Sequence, residues 1–385
     1  GGYGRDTIWG GGGANGDYIY GDLEINGPGT TDDGSDFLFG LGGNDYIYGG
    51  GGNDYIDGGV DNDGNLKGGV GNDTIRGGVG NDYMYGGAGS DVFIADAGDD
   101  YIDGDGEVVH TTEIDTLSYI EMLGLVNVDL SNRNGQSTNA GGLDTIRGIE
   151  KLIGSNFNDR LFGSDAAELI SGMNGADDVR GGLGNDTVSG GDAADKVAGG
   201  GGDDRAYGGN GNDSVYGEDG ADRLYGDAAN DYLNGGVEND TMYGGLGNDV
   251  LQGGASGADL LLGNDGNDRL WGGTGHDTMV GGLGQDRFYF TNTLATANID
   301  RIIGYSAVDD SIMLSKAVFK ALGLTMTADE FYTGAAAHDA TDHIIYNKVT
   351  GALLYDSNAN VAGGTFVVAY IDKGLTLTFS DFVLV

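Results

Sequence analysis

The chain has 385 residues, of which 81 are Gly and one is Pro, and 61 acidic against 18 basic residues give a formal charge of −43. This balance excludes nucleic acid as a natural partner and disfavours an anionic membrane face, because no basic surface is available. The sequence has no Cys, which excludes disulfides and thiolate metal sites, and no apolar run reaches the roughly 18 residues of a membrane span.

A first repeat block covers residues 1–104 and repeats the phrase Gly-Gly-x-Gly-x-Asp followed by three further residues. Asp6 and Asp17 begin it at irregular spacing, and its regular aspartates follow at steps of nine or ten residues: Asp36, Asp45, Asp54, Asp63, Asp73, Asp82, Asp91 and Asp100. A short period of this kind indicates one structural unit stacked on itself. Since the chain opens inside a repeat and without an initiator Met, we expect it to be a piece of a longer polypeptide, or its ordered part.

Residues 105–170 interrupt the repeat with alternating, β-branched segments such as 125–130. We expect this spacer to continue the stack as wider coils, with Asp159 beginning the return to register. Residues 171–289 form a second and more regular block. Its aspartates are Asp177, Asp186, Asp195, Asp204, Asp213, Asp222, Asp231, Asp240, Asp249, Asp259, Asp268, Asp277 and Asp286.

Each nine-residue copy divides into a turn and a strand. Positions one to six predict the turn, where Gly tolerates positive φ and lets carbonyl groups approach a metal. Positions seven to nine predict a three-residue strand whose middle side chain, apolar in nearly every copy, points inward. Asn65 breaks this rule, but the ten-residue step from Asp63 to Asp73 allows a one-residue bulge that would turn Leu66 inward instead.

Two strand-turn units make one coil of eighteen residues. The predicted fold class is therefore all-β: a right-handed parallel β-roll or β-helix solenoid in two repeat blocks, followed by a C-terminal β-rich domain. That last region, residues 290–385, lacks the glycine repeat, and its sequence predicts strands and turns. One short helix is predicted around Lys316–Leu322, with Ser315 as its N-cap.

The repeat also predicts metal chemistry. Aspartates eighteen residues apart are brought to about 4.8 Å, the spacing of neighbouring strands. Two bare carboxylates at that distance repel and raise each other's pKa, whereas a hard cation such as calcium or magnesium converts the repulsion into attraction. One ion per gap between stacked turns gives roughly 17 candidate sites.

These blocks resemble the parallel β-roll of the RTX (hemolysin-type calcium-binding) family over about 220 residues. The resemblance implies calcium held by six oxygens: the Asp and the second and fourth carbonyls of one turn, with the Asp and the first and third carbonyls of the next. It implicates Gly182, Gly184 and Asp186 with Gly199, Gly201 and Asp204, and by the same pattern Gly200, Gly202, Gly209, Gly211, Gly245 and Gly247. Weaker or distorted sites are expected where position four is not Gly, at Asp61, Ala193, Ala229 and Glu238.

The other regions carry a second resemblance. The phrases 115–119 and 148–155 are similar to a spacer found between RTX blocks. The segments 300–305, 344–356 and 381–385 resemble a serralysin-like C-terminal domain with an uncleaved type I secretion signal. The resemblance implies export from a Gram-negative bacterium, with type I secretion machinery as a partner and an extracellular or cell-surface location.

No catalytic motif accompanies the repeats, so we expect no enzyme activity. His110, His276, His338 and His343 are scattered, and neither His-Glu-x-x-His nor Gly-x-Ser-x-Gly occurs. Tyr207, Tyr225 and Tyr243 recur every eighteen residues and predict an exposed row, either from cross-strand packing or as a stripe for self-association or carbohydrate.

Three functions therefore remain open at this point. The first is a non-catalytic extracellular scaffold in a surface layer, matrix or fibre. The second is the secretion and folding module of a larger secreted enzyme or toxin. The third is an adhesin that binds cell-surface polysaccharide.

Overall fold

The computed structural model describes residues 4–13, 15–22, 34–105, 113–138, 142–296, 298–358 and 363–385. His110 lies outside the described residues. The chain forms two compact units, Gly1–Asp192 and Ala193–Val385. The unit boundary falls inside the second repeat block, and the four-region division read from composition stays a prediction.

The first unit is built from short strands, which pair in parallel with one exception. They are β1 (Thr7–Trp9), β2 (Tyr18–Tyr20), β3 (Phe37–Gly42), β4 (Tyr46–Gly51), β5 (Tyr55–Val60), β6 (Asn65–Val70), β7 (Thr74–Val79), β8 (Tyr83–Ala88), β9 (Val92–Ile94), β10 (Tyr101–Asp103), β11 (Thr116–Ser118), β12 (Asn127–Asp129), β13 (Gln136–Ser137), β14 (Leu143–Arg147), β15 (Lys151–Ile153), β16 (Arg160–Phe162), β17 (Leu169–Asn174), β18 (Asp178–Leu183) and β19 (Thr187–Asp192).

Within each repeat block of this unit, strands alternate between two sheets. One sheet pairs β1, β3, β5, β7, β9, β11, β15, β17 and β19 in parallel. A second sheet pairs β2, β4, β6, β8, β10 and β14 in parallel, with β13 antiparallel to β14, and β12, β16 and β18 belong to a third, parallel sheet. Because consecutive repeats add to opposite sheets, every coil consumes two repeats.

The second unit contains β20 (Lys196–Gly201), β21 (Arg205–Asn210), β22 (Ser214–Asp219), β23 (Arg223–Ala228), β24 (Tyr232–Val237), β25 (Thr241–Leu246), β26 (Val250–Gly254), β27 (Leu260–Asp265), β28 (Arg269–Trp271), β29 (Thr278–Leu283), β30 (Arg287–Phe290), β31 (Asp300–Ile302), β32 (Ser311–Leu314), β33 (Phe331–Thr333), β34 (Ile344–Tyr346), β35 (Ala352–Asp356), β36 (Thr365–Tyr370) and β37 (Phe382–Leu384).

Its strands follow the same two-sheet rule. The odd strands β21 to β31 and then β36 pair in parallel, as do the even strands β20 to β32 and then β37. Antiparallel pairing enters with β34, β35 and β36. The predicted parallel β-roll is confirmed for both units.

One row of apolar side chains fills the space between the two sheets. The middle residue of each predicted strand is buried, from Leu38 to Ile102 in the first block and from Val179 to Phe288 in the second. Leu66 is also fully buried and pairs with Ile47, which confirms the bulge that displaces Asn65. Burial of about 25 cal/mol per Å² of apolar surface is the fold's main hydrophobic contribution.

The regular strands are six residues long, so the prediction of three-residue strands was wrong for these coils. In β22 and β24 the parallel ladder runs past Tyr216 to Glu218 and Asp219, which pair with Gly236 and Val237. The first three positions of the next repeat therefore extend the strand, and the turn is confined to positions four to six. The ladder persists because these backbone groups find partners one coil away.

The spacer continues the stack as wider coils, as predicted. Strands β9, β11 and β15 pair in parallel although Phe93 and Leu117 are 24 residues apart, and Leu117 and Leu152 are 35 apart. At Asp159 the register returns to eighteen, since its backbone N–H donates to Asp177.

The predicted helix at Lys316–Leu322 is wrong. The segment forms turns in which the N–H groups of Val318 and Phe319 both donate to the carbonyl of Ser315. Lys316 instead donates to the carbonyl of Val385, and Ala321 donates to the hydroxyl of Tyr355. Since a helix nucleus is costly in so short a segment, these outside partners decide the conformation.

Among the described residues the helical elements are two 3₁₀ turns, Ala328–Glu330 and Phe379–Asp381. Neither is long or apolar enough to cross a membrane.

Candidate metal centre

The aspartates at position six form hydrogen-bonded rows along each unit. The backbone N–H of Asp222 donates to Oδ1 of Asp240 at 2.9 Å, and the N–H of Asp231 donates to Oδ1 of Asp249 at 2.8 Å. All of the predicted aspartates, from Asp36 to Asp286, are at most 4 % exposed. One carboxylate oxygen is thus committed to the preceding coil.

The same bond recurs within each unit. In the first unit the acceptors are Asp36, Asp45, Asp54, Asp63, Asp73, Asp82, Asp91, Asp100, Asp177 and Asp186. In the second unit they are Asp213, Asp222, Asp231, Asp240, Asp249, Asp259, Asp268, Asp277 and Asp286.

The second carboxylate oxygen of these residues is buried and accepts no hydrogen bond within the described part of the chain. This holds for Oδ2 of Asp36, Asp45, Asp63, Asp73, Asp82, Asp91, Asp213, Asp222, Asp231, Asp240, Asp249, Asp259, Asp268 and Asp286. A buried, ionised and unpartnered oxygen costs several kcal/mol at least, so these groups require either a proton or a cation.

A glycine lies against each of these oxygens. A Cβ built on Gly217 would lie 2.2 Å from Oδ2 of Asp222 and 2.4 Å from the carbonyl oxygen of Gly235. At Gly281 the corresponding distance to Oδ2 of Asp286 is 2.1 Å. Glycine is therefore required at position one because two oxygens converge where any side chain would begin.

Carbonyl groups from positions two and four approach the following coil. A Cβ on Gly245 would lie 2.2 Å from the carbonyl oxygen of Asp227, and one on Gly247 would lie 1.8 Å from that of Ala229. Both glycines have positive φ, 110° and 135°. The turn thus presents backbone oxygens beside the carboxylates, which is a donor set of oxygen alone.

The glycines implicated by resemblance have this geometry in their own units. Gly182 and Gly184 have φ of 114° and 110° in the first unit. In the second unit Gly200, Gly202, Gly209 and Gly211 also have positive φ, and a Cβ on Gly199 would lie 2.4 Å from Oδ2 of Asp204. Gly201 lies at the end of β20 and pairs with Asp219.

Position four keeps a left-handed backbone even where it is not Gly. Asp61, Ala193, Ala229 and Glu238 have φ between 75° and 84°. The turn is therefore preserved there at the cost of backbone strain, about 1–2 kcal/mol for a residue with a Cβ. Sequence reasoning missed five more such residues, all at position two: Leu41, Met173, Glu218, Asp227 and Asn264.

The acidic rows extend beyond the predicted aspartates. Asp115 accepts from the N–H of Asp91, Asp144 from Asp100, and Glu150 from Asp115. Near the other end, Asp300 accepts from Asp277 and Asp310 from Asp286. Their sequence offsets run from 23 to 44 residues, so the eighteen-residue period could not reveal them.

A second row, at position five, was also missed. The N–H of Asn248 donates to Oδ1 of Asn230 at 2.7 Å, and the N–H of Asn267 donates to Oδ1 of Asn248 at 2.8 Å. In the first unit Asn72 donates to Asn53 in the same way. This row explains why Asn so often precedes the Asp at position six. The Asn side-chain amide closes the exposed side of the turn.

Burial controls the charge state of the position-six aspartates, called the ladder carboxylates below. Burial, opposed by the hydrogen bond from Asp222 and reinforced by neighbouring carboxylates, raises the pKa of Asp240 to about 8. The pKa values of Asp73 and Asp231 are raised to about 8 for the same reasons. Those of Asp63, Asp222, Asp259 and Asp268 are raised to about 7. Without a cation, many of these groups would hold protons near neutral pH.

The donor chemistry fits calcium. Carboxylate and carbonyl oxygens are the ligands that calcium accepts in flexible arrangements of six to eight, and soft metals prefer sulfur or nitrogen. The unpartnered Oδ2 atoms and the carbonyl oxygens beside position-one glycines are the groups that would hold it. An ion there would balance the negative charge of the rows.

A separate group of metal-type ligands lies in a loop of the second unit. Side-chain atoms of His338, Asp339 and Asp342 come within 4.8 Å of one another. Asp342 accepts hydrogen bonds from the backbone of His338 and Asp339. These bonds account for the arrangement as a loop turn.

The fold and the rows of buried oxygens define a calcium-type cation-binding β-roll. The chain belongs to the family described as the RTX calcium-binding nonapeptide repeat. The family model matches residues 1–24, 30–64, 65–93, 79–107, 144–179, 153–188, 171–206, 189–224, 216–251 and 253–288. The resemblance noted in the sequence is thereby confirmed for the repeats, and the protein is a calcium-binding β-roll.

Comparison with solved structures gives the AlgE6R3 subunit of the Azotobacter vinelandii mannuronan C5-epimerase. It is 25% identical, the match covers 40% of this chain and 78% of that one, and the TM-score is 0.24. No match was found among curated proteins.

Proposed function

We propose that the protein is a secreted, non-catalytic scaffold whose repeats fold when calcium fills their turns outside the cell. The observation that supports this most strongly is the row of buried Oδ2 atoms that accept no hydrogen bond from the described residues, such as those of Asp231 and Asp240. A fold that buries so many carboxylates gains its stability from the ions that neutralise them.

Energetics favour a calcium-dependent switch. The 81 glycines lose much conformational entropy on folding, and a formal charge of −43 opposes compaction. Extracellular calcium modules bind at about 10⁻⁴ to 10⁻³ M, so they stay empty in a low-calcium cytosol and fill outside. The chain would then remain unfolded and exportable until it leaves the cell.

The number of calcium sites is proposed from the rows of position-six aspartates. About 17 gaps between regular turns would each take one ion, which would supply about +34 against the formal charge of −43. The added carboxylates at Asp115, Asp144, Asp300 and Asp310 lengthen the rows and favour a count no lower than this. Most of the chain's negative charge is therefore what the proposed calcium sites require.

Export by type I machinery from a Gram-negative bacterium is the second part of the proposal. It rests on the residues after the repeats, where 300–305, 344–356 and 381–385 resemble a secretion domain. In the fold, β31 (Asp300–Ile302) and β37 (Phe382–Leu384) add in parallel to the repeat sheets. Calcium folding of the roll would thus extend into this region.

Two other functions share the same calcium chemistry. As the secretion and folding module of a larger enzyme or toxin, the chain would adjoin an active domain. As a polysaccharide-binding adhesin, it would use the tyrosine row, whose rings stack at 4.7 Å from Tyr207 to Tyr225 and 5.0 Å from Tyr225 to Tyr243. That row is half-buried, which suits cross-strand packing as well as contact with a partner.

Circular dichroism with EDTA, calcium or magnesium tests the proposal. We expect a disordered spectrum in EDTA at pH 7.5 and a β spectrum in millimolar calcium, with magnesium much less effective. Elemental analysis of the folded protein should give about 17 calcium ions per chain. An identical β spectrum in EDTA and in calcium at that pH would remove calcium-dependent folding from the proposal.

A further inference from the structure

Five side chains form a row on one sheet of the second unit. Tyr216, Asn234, Gln252, Trp271 and Tyr289 are in register on strands β22, β24, β26, β28 and β30. All occupy position nine, whose side chains point away from the buried row. Two amides, Asn234 and Gln252, lie between Tyr216 on one side and the rings of Trp271 and Tyr289 on the other.

A groove of about 650 Å³ runs beside this row. Asn234, Gln252, Trp271 and Tyr289 line it, together with Glu218 and Asp219, whose carboxylates are exposed. Binding sites for small organic ligands have volumes of about 300–1,000 Å³. The groove is therefore far larger than a single ion requires.

The side-chain amides of Asn234 and Gln252 are oriented by hydrogen bonds that occupy only one end of each amide. Oε1 of Gln252 accepts from the hydroxyl of Tyr232 at 3.0 Å and from Nδ2 of Asn234 at 3.3 Å. Nδ2 of Asn234 also donates to that hydroxyl at 3.2 Å. Within the described residues, Nε2 of Gln252 and Oδ1 of Asn234 bond to no protein group. The groove thus offers a fixed donor beside a fixed acceptor.

The aromatic part of the row is a face-to-face stack. The rings of Trp271 and Tyr289 are parallel within 13°, with centroids 3.8 Å apart. The indole face that Tyr289 does not cover is directed toward the amides, since Trp271 is the in-register neighbour of Gln252 on the other side. A flat apolar surface beside paired hydrogen-bonding groups matches a sugar ring, which has an apolar C–H face and hydroxyls that both donate and accept.

Charge selects the kind of sugar. Among the described residues, those that line the groove include Glu218, Asp219 and Asp300 and no Lys, Arg or His. An anionic ligand would be repelled there and would find no cation to pair with. We propose that this groove binds an uncharged saccharide, with Trp271 stacking on the ring and Gln252 and Asn234 bonding its hydroxyls.

The test uses the full chain in saturating calcium. Trp9 and Trp271 are the two tryptophans, so in a Trp9→Phe background fluorescence reports Trp271 alone. The probes are cellohexaose, maltohexaose and mannohexaose, with oligogalacturonate as the anionic comparison. We expect a saturable fluorescence change with at least one uncharged probe and none with oligogalacturonate.

Two variants locate the site. In the wild-type background, calorimetry with the bound probe should show at least tenfold weaker binding for Gln252→Leu and for Trp271→Ala. Tyr225→Ser, which alters the aromatic row on the other sheet, should bind as the unaltered protein does. Circular dichroism in calcium verifies that each variant is folded, so failure of this proposal is distinguishable from failure of calcium-dependent folding.

The proposal is overturned if none of the uncharged probes binds. It is equally overturned if oligogalacturonate binds more tightly than they do, or if folded Gln252→Leu and Trp271→Ala bind an uncharged probe with unaltered affinity.

Discussion

Oδ1 of Asp240 lies 2.9 Å from the backbone nitrogen of Asp222, one coil earlier, while Oδ2 of Asp240 is buried and accepts no hydrogen bond in the described structure. The two oxygens of one carboxylate therefore have different roles. It closes the backbone of the preceding turn with one oxygen and leaves the other for a cation. Repeated along both units, this division of labour links coil stacking to calcium binding.

Replacing Asp240 by Asn keeps the shape and an acceptor for the N–H of Asp222 but removes the charge. We expect Asp240→Asn to raise the calcium concentration at the folding midpoint and to lower stability in calcium by about 3 kcal/mol, as for breaking a buried ion pair. Calcium titration followed by circular dichroism measures this.

Asp165→Asn is the matched control, because it makes the same charge change at an exposed position. Its midpoint should stay near that of the unaltered protein. Equal shifts for the two variants would mean that general charge, rather than the ladder oxygen, sets the calcium requirement.

Adding a methyl group at Gly217 should obstruct a turn. Its Cβ would lie 2.2 Å from Oδ2 of Asp222 and 2.4 Å from the carbonyl oxygen of Gly235, so Gly217→Ala must displace backbone or carboxylate. We expect a loss of about 1–3 kcal/mol in calcium, measured by thermal unfolding. Gly124→Ala, with nothing within 4 Å of its Cβ, should cost little. A stable Gly217→Ala protein with unaltered calcium content would contradict the requirement for glycine beside the Asp222 carboxylate.

Removing a strained side chain at position four should stabilise the roll. Ala229 has φ of 82°, which glycine adopts without penalty, so Ala229→Gly should gain about 1 kcal/mol in calcium. Ala258→Gly is the control at an exposed position-five residue without positive φ, and it should lose about 0.5–1 kcal/mol through chain entropy. A higher melting temperature for Ala229→Gly alone supports the strain; equal losses in both would refute it.

The calcium-free fold should be favoured by acid. Burial raises the pKa of Asp73, Asp231 and Asp240 to about 8 in the folded state, well above the ordinary value near 4. Folding therefore takes up protons, so this contribution is full below about pH 4 and is lost progressively as pH rises from about 4 to about 8. In EDTA we expect more β structure at pH 5 than at pH 8.

Calcium should reverse that pH dependence, because its ligands must be ionised and its affinity rises with pH. Circular dichroism across pH 5 to 8, with EDTA and with calcium, measures both trends. A calcium-free β-signal that increases with pH would show that the ladder carboxylates are not buried in the neutral form.

The eighteen-residue coil, the buried apolar row and the predicted aspartates were all readable from the sequence. A strict period fixes which side chains point inward and which oxygens meet, because each copy has the same neighbours one coil away. The inward turn of Leu66 followed from a single extra residue between Asp63 and Asp73. Where the period holds, sequence alone identifies the inward-facing side chains and the position-six aspartates.

Only the tertiary structure decided the rest. Asp144 joins the ladder 44 residues after Asp100, at an offset that depends on how a wide coil folds. The groove beside Gln252 and Trp271 depends on which different side chains become neighbours at one position of successive copies. The repeat determined the backbone because its hydrogen bonds are identical in every coil, whereas the irregular coils and the outer surface depend on contacts that no period encodes.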